Sequence, residues 1–464
     1  MRARISHVLG SHWGGIAQAL DVITMISMVG AIGGLPTLLD ALTRYARFAG
    51  RRLRDLHWPR LPIMASVFLV GLLARQGCAQ TAIREPTASR EDAPNSIRTL
   101  GPDQRFTTVS SQTVAGRVRA QRAGQPVTIL ALSGGGADGA FGAGALVGLT
   151  RSISRPQFSV VTGVSTGALI APYAFLGSDW DDELLEVYTS GRAEHLLKTR
   201  GLSALFGSSL YSGTPLKELV DRYATDALIQ AVAREAATGR LLLVATTDVS
   251  TGEPVIWDLG SIAMNGGAGA RALFRDVLVA SASVPGLLPP VVIRVQEQQA
   301  LYDEVHVDGS ISVPFFVPLA FVDATRDAGE PSHGVTVFVI VDGRLSEQAA
   351  PIRLRARSIL SRSVSAGLNH MLRTTLELTA TDTQLKGAQF QFAAIPVGYP
   401  ELDPFDFRTP SMRSLFQYGY QCARAGRLWA SSHGVGRDEA NGDGSGRANP
   451  CPADDAFIGR LAVR

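Results

Sequence analysis

Apolar residues along the chain fall into short blocks that alternate between two spacings. Val127-Thr128-Ile129-Leu130-Ala131-Leu132 is a β-favouring run that predicts the first buried strand. Phe141, Ala145, Leu146 and Leu149 follow at helical spacing. Phe158, Val160 and Val161 read as a second buried strand, and Ala168, Leu169, Ile170, Ala171 and Ala174 as the start of a second helix. Further on, Leu301, Val305 and Val307 lead to another strand end, and Val335 to Val341 predict one more buried strand. An apolar helical period runs through 352–384, Phe390 to Ile395 read as a strand, and 409–430 as a closing helix. Residues 191–212 are Gly- and Ser-rich with interspersed leucines, which fits either a cover over a site or an ordinary packed loop.

The ends differ from this body. Val22 to Leu39 is an uncharged apolar stretch interrupted by glycines and Pro36, and Leu61 to Ala74 is a second, shorter run with the length of a signal-peptide core. Between them lie Arg44, Arg47, Arg51, Arg52, Arg54 and Arg60, a basic segment expected to stay cytoplasmic. Gly77-Cys78-Ala79 after the second run is similar to a bacterial lipoprotein processing site, with Cys78 the lipidated residue. It fits a plain small-x-small cleavage site as well, and a two-segment hairpin anchor is the third reading. The expected organisation is an export or membrane-anchor segment at 1–79, a polar linker at 80–125, a catalytic domain at 126–430 and a Gly/Asp/Asn-rich tail at 431–464. This places the protein in a bacterial envelope, periplasmic or membrane-anchored.

Composition narrows the function classes. With 45% hydrophobic and 18% charged residues the chain is globular, not disordered. Residues 1–60 carry eight arginines against three aspartates, so the basic balance belongs to the N-terminal segment, and no basic, aromatic-interleaved face suggests nucleic acid. No His/Cys spacing suggests a metal, and no cofactor is expected.

The candidate chemistry sits at the strand ends. Gly163-Val164-Ser165-Thr166-Gly167 between a strand and a helix is a nucleophile-elbow pattern, in which small residues flank a serine held on a sharp turn. The loop Ser133-Gly134-Gly135-Gly136-Ala137-Asp138-Gly139 joins the first strand to its helix. Gly134, Gly136 and Gly139 also spell a dinucleotide-type G-x-G-x-x-G, but the acidic residue that fingerprint needs about 20 residues on is missing. Beside a nucleophile, bare glycine N–H groups serve an oxyanion more simply. Asp308-Gly309-Ser310 at a strand end supplies a carboxylate.

These blocks, in this order and with Asp248 to Pro254 and Ala280 to Gly286 between them, resemble the patatin-like phospholipase family over about 127–345, fading towards about 430. The resemblance implies an α/β fold in three layers, with a central, mostly parallel sheet and a serine nucleophile elbow. It implies a lipid acyl hydrolase with Ser165 as nucleophile and Asp308 as the base acting without histidine. Gly134, Gly135 and Gly136 form the oxyanion loop, with the N–H groups of Gly135 and Gly136 as donors, and Gly139, Gly163, Gly167, Gly309 and Ser310 support the motifs. Membrane lipids or other acyl esters are the implied substrates. Asp138 departs from the Arg or Lys usual there. It is expected to cap the following helix and, as an anion, to favour neutral or zwitterionic esters. Ser310 replaces the usual Gly or Ala.

Two alternatives stay open. An ordinary Ser-Asp-His hydrolase would use His333 or His370, with His306 sharing a strand face with Asp308. A catalytically weak envelope protein on the same scaffold is the other. If Cys78 is consumed by processing, an oxidising compartment leaves Cys422 and Cys451 to form a disulfide.

Overall fold

The computed structural model describes residues 96–100, 106–112, 114–116, 126–198, 208–297, 300–319, 322, 334–345, 354, 356–396, 399–400 and 403–431. The chain divides into two units, Met1–Thr81 and Ala82–Arg464. The first unit lies outside the described residues, so the export, anchor and Cys78 readings do too. Among the described residues no helix is long and apolar enough to cross a membrane.

The β-branched and leucine runs build strands β1 (Ser96–Leu100), β2 (Phe106–Ser110), β3 (Val127–Leu132), β4 (Val160–Val164), β5 (Leu241–Asp248), β6 (Pro254–Asp258), β7 (Val291–Glu297), β8 (Ala300–Asp308), β9 (Val335–Arg344), β10 (Gln389–Ile395) and β11 (Ala430–Ser431). They join in one sheet of order β11-β10-β9-β3-β4-β5-β6-β1-β2, with β8 pairing β5 and β7. The core from β10 to β5 is parallel. The additions around it are antiparallel, apart from the parallel contact of β1 with β6.

Helices cover both faces. α1 (Gly139–Arg151), α2 (Thr166–Leu176), α3 (Asp181–Thr189), α4 (Thr214–Tyr223), α5 (Asp226–Ala236), α6 (Leu259–Asn265), α7 (Gly267–Ser281) and α9 (Thr409–Arg424) share one apolar core, while α8 (Ala356–Leu385) packs on the opposite face. The period-2 alternation of strands sorts side chains between them: Leu130, Leu132 and Ile340 face the first core, Ile129, Ala131 and Val339 the second. This is a three-layer α/β arrangement. α1 and α9 approach until their backbones touch. A Cβ at Gly144 would overlap the Phe416 carbonyl, and one at Gly419 the Phe141 carbonyl. Cys422, buried in α9, is disulfide-bonded, and the other cysteines, Cys78 and Cys451, lie outside the described residues.

Residues 96–110, expected as linker, instead supply two strands to the sheet edge. The reason is a buried charge. Arg98 on β1 makes a two-pronged ion pair with Glu304 on β8, at 2.5 and 3.3 Å, and lies 4.8 Å over the Trp257 ring. Glu304 Oε2 also meets His306 Nε2 at 3.1 Å, His306 Nδ1 meets Thr246 Oγ1 at 3.0 Å, and Trp257 Nε1 donates to Thr246 Oγ1 at 2.8 Å. The ionised Glu304 can only accept, so His306 Nε2–H donates to it and Nδ1 accepts the Thr246 hydroxyl proton. Burial pushes His306 down, and it is neutral. Burial pushes Glu304 up, but hydrogen bonds from His306 and Arg98 outweigh it and hold the carboxyl below its ordinary range.

Removing one partner of such a pair leaves the other charge buried. Arg98→Met is expected to cost about 3–5 kcal/mol in urea unfolding, and Arg98→Met with Glu304→Gln distinctly less. Equal losses in the two variants would show that the pair is not coupled.

Candidate active site

Strand lengths bring the chemistry together. Leu241 to Ala245 of β5 pair with Val160 to Val164 of β4, and β5 then runs three residues further. β8 takes up the vacated edge: His306, Val307 and Asp308 pair with Asp248, Thr247 and Thr246. Asp308 therefore ends its strand where β4 ends, and the next residue of β4's chain is Ser165.

Ser165 stands between β4 and α2 at φ 54° and ψ −123°, a left-handed backbone that a side-chain-bearing residue adopts only under constraint. The constraint is close packing. A Cβ at Gly163 would come within 2.5 Å of the Gly167 carbonyl, and one at Gly167 within 2.5 Å of the Leu132 carbonyl. The Ser165 N–H donates to Ser281 Oγ at 3.0 Å, and Ser281 donates onward to the Ala245 carbonyl at 2.7 Å. The Ser165 hydroxyl donates to Asp308 Oδ2 at 2.6 Å. Asp308 is fixed in turn: its N–H donates to the Ser283 carbonyl at 2.9 Å, and Ser310 N–H donates to Oδ1 at 2.8 Å. Burial pushes the Asp308 carboxyl up to about 6, against the hydrogen bonds from Ser165 and Ser310 that pull it down. Gly309 lies where a Cβ would come within 2.5 Å of the Ala245 carbonyl.

The glycine loop packs beside the serine. A Cβ on Gly134 would lie 3.1 Å from Ser165 Cβ and would overlap the Ser310 hydroxyl. Gly134 N–H donates to the Pro314 carbonyl at 3.1 Å. Among the described residues the N–H groups of Gly135 and Gly136 have no acceptor. Gly136 holds φ 60°, and a Cβ at Gly135 would overlap the Asp342 carbonyl. A Cβ at Gly139 would overlap Thr166.

Asp138 departs from its expected role. It precedes α1 but its side chain caps nothing. It is buried, and burial pushes its carboxyl up to about 7, with Arg344 pulling down and Asp403 pushing up. A carboxyl raised this far carries less of the anionic charge expected there than an ordinary aspartate. Beside it Asp342, at the end of β9, is fully buried. Its Oδ1 accepts from Gly142 N–H at 2.9 Å, its own N–H donates to Ser133 Oγ at 2.9 Å, and burial raises its carboxyl well above the ordinary range. Asp342-Gly343 reads in the sequence as a turn, and only its place after a buried strand signalled more.

Among the described residues no histidine is hydrogen-bonded to Ser165 or Asp308. His306 is engaged with Thr246 and Glu304, His370 is exposed on α8, and His333 lies outside the described residues. Among the described residues no group of His, Cys, Asp and Glu could hold a metal ion.

Ser165 and Gly136 open on an apolar cleft enclosing about 500 Å³, walled by Leu196, Leu216, Leu288, Phe405 and Phe407. The phenylalanines come from a loop far along the chain, pinned to the glycine loop by Ala137 N–H donating to the Pro404 carbonyl at 2.7 Å. Glu194 beside the opposite wall accepts from Thr409 N–H at 2.7 Å. Residues 191–198 thus supply part of the wall. Phe405 and Phe407 gave no sequence signal, since a pair of aromatics in a Pro/Asp-rich loop has no period.

Residues 130–320 match the family model described as patatin-like phospholipase, and the chain resembles that family. The match supports lipid acyl hydrolysis as the general chemistry and lipid esters as substrates. Among solved structures, VipD from Legionella pneumophila aligns at 12% identity over 76% of this chain and 72% of that chain with a TM-score of 0.34, a likeness that carries no argument. No curated protein matches the chain.

The raised Asp138 carboxyl has a signed consequence. Its folded value of about 7 lies above the ordinary 3.8. Below pH 4 folded and unfolded chains both hold the proton and nothing is lost. From pH 4 to 7 the unfolded chain ionises first, so stability falls as pH rises, and above 7 the loss levels off. Asp138→Asn should therefore match the wild type near pH 4 and exceed it by up to roughly 4 kcal/mol at pH 8 in urea unfolding. A pH-independent difference would refute the buried ionisation.

Proposed function

We propose that this chain is a serine hydrolase that cleaves carboxylic esters of lipids through Ser165 and Asp308. The observation that supports it most is the 2.6 Å hydrogen bond from the Ser165 hydroxyl to Asp308, at a strained elbow where no histidine is bonded to either among the described residues. Asp308 takes the Ser165 proton as Oγ attacks the acyl carbon. The Gly135 and Gly136 N–H groups and the positive end of α2 stabilise the oxyanion. The protonated Asp308 then gives its proton to the departing alkoxide, leaving an acyl-serine. A water deprotonated by Asp308 hydrolyses that ester, and the proton returns to Ser165 Oγ as the acid leaves. A carboxyl raised to about 6 is a stronger base than an ordinary aspartate and is still ionised at neutral pH.

The cleft receives the acyl group, and its rim is apolar, with Phe405 40% exposed. That surface suits a substrate drawn from a lipid layer. The disulfide at Cys422 favours an oxidising compartment and hence the export reading of residues 1–79.

Asp308→Asn should lose activity as fully as Ser165→Ala, on the order of 10³-fold or more in kcat, because the two act as a unit. Wild-type kcat/KM should fall on the acid side through about pH 6, where Asp308 takes up a proton, and fluorophosphonate labelling should vanish in Ser165→Ala. A collapse of turnover in His333→Ala or His370→Ala would replace the dyad by a triad. The partner of Cys422 is expected to be Cys451, so neither thiol should react with maleimide in the unfolded protein before reduction. Reaction of both at that stage would remove the support for export.

A further inference from the structure

A second apolar cavity lies directly behind the first. It is lined by Leu169, Pro172 and Tyr173 of α2, Leu219, Val220 and Tyr223 of α4, and neighbours from α3, α5 and α7. The two cavities share one wall, Leu169, one helical turn beyond Ser165. The same two helices run along both: Thr166 and Leu216 line the first, Pro172 and Val220 the second. Leu169 is the lining residue common to the two, so its side chain stands between the pocket at Ser165 and the second one.

The lining defines the occupant. All of its side chains are apolar except two tyrosines, and both hydroxyls are engaged. Tyr173 donates to the Tyr223 carbonyl at 3.2 Å, and Tyr223 donates to Glu186 at 3.2 Å. Nothing there offers a hydrogen bond to a headgroup or a sugar, and a water would find too few partners. An unbranched hydrocarbon loses nothing by entering. A wall formed by one leucine, itself partly buried, can swing between rotamers without moving backbone.

We propose that the second cavity binds the distal part of a long acyl chain whose ester lies at Ser165, with Leu169 as the gate between the near and far halves. The inference rests on the acyl-hydrolase reading for the ester's position and adds the chain length that the enzyme selects. Short acyl groups fill only the first cavity. Long ones displace Leu169 and gain the buried surface beyond it.

The test uses the full chain and p-nitrophenyl butyrate and palmitate. Leu169→Ala should raise the palmitate-to-butyrate ratio of kcat/KM, and Leu219→Trp, which fills the far cavity from its partly buried rim, should lower it. Each change should be on the order of tenfold, the worth of about two buried methylenes. In the double variant the ratio should stay low, because the tryptophan blocks what the alanine opens. Palmitate binding to Ser165→Ala by calorimetry should move in the same directions when these changes are added, and it needs no turnover. Ratios and palmitate affinities within twofold of the parent in both variants, with unfolding temperatures near the parent's, would overturn the proposal. Wild type that neither hydrolyses butyrate nor takes the fluorophosphonate would instead overturn the acyl-hydrolase reading, while palmitate binding would still decide the second cavity.

Discussion

The site depends on a mismatch of strand lengths. β5 outlasts β4 by three residues, and β8 pairs with that overhang, which sets Asp308 at the level where Ser165 emerges. A one-residue slip of β8 would turn the carboxylate to the other face of the sheet. The hydrogen bond between the two residues is thus a product of register, fixed by backbone pairing along the whole strand. The left-handed Ser165 and the tight glycines around it follow from the same crowding of β4, α2 and the glycine loop.

The polar network at the base of β8 guards that register. Arg98, Glu304, His306, Thr246 and Trp257 tie β1, next to the edge strand β2, to β8, β5 and β6 through buried hydrogen bonds, each group with its partner. It also explains the state of His306. An imidazole two residues from Asp308 invites a role in proton transfer, yet both of its nitrogens are engaged elsewhere, and burial pushes its pKa down. A positive charge there would depress the very basicity that a direct aspartate base requires.

Much of this was legible in the sequence, because strand-loop-helix punctuation is local. The buried runs before Ser133, Ser165 and Asp308 mark strand ends, and their glycines mark places where backbone must pass close to backbone. What the sequence hid was non-local. β1 and β2 are polar strands, Ser-Ile-Arg-Thr-Leu and Phe-Thr-Thr-Val-Ser, whose composition reads as linker until Glu304 is seen to neutralise Arg98. Asp138 sits where a cap belongs, but burial against Asp342 is a property of the β9 end, some 200 residues away. Gly134 looked like its neighbours in the oxyanion loop, and only the Pro314 carbonyl distinguishes it. Phe405 and Phe407 enter the cleft by the path of a loop, and a path has no periodicity to read.

That loop separates two inheritances. The serine, the aspartate and the glycine loop lie within the segment that matches the family, whereas two aromatics of the cleft wall come from beyond its end, their loop bonded to Ala137 through the Pro404 carbonyl and followed by α9, which packs on α1. The cleft wall is therefore written on two stretches of the chain, Leu196, Leu216 and Leu288 inside the matching segment and Phe405 and Phe407 beyond it. Recolouring Phe405 or Phe407 alters what fits without touching the β5–β8 register that sets Asp308 against Ser165, whereas Pro404 is tied to the glycine loop, so diversification of such a scaffold has a route through side chains that leaves those strands untouched.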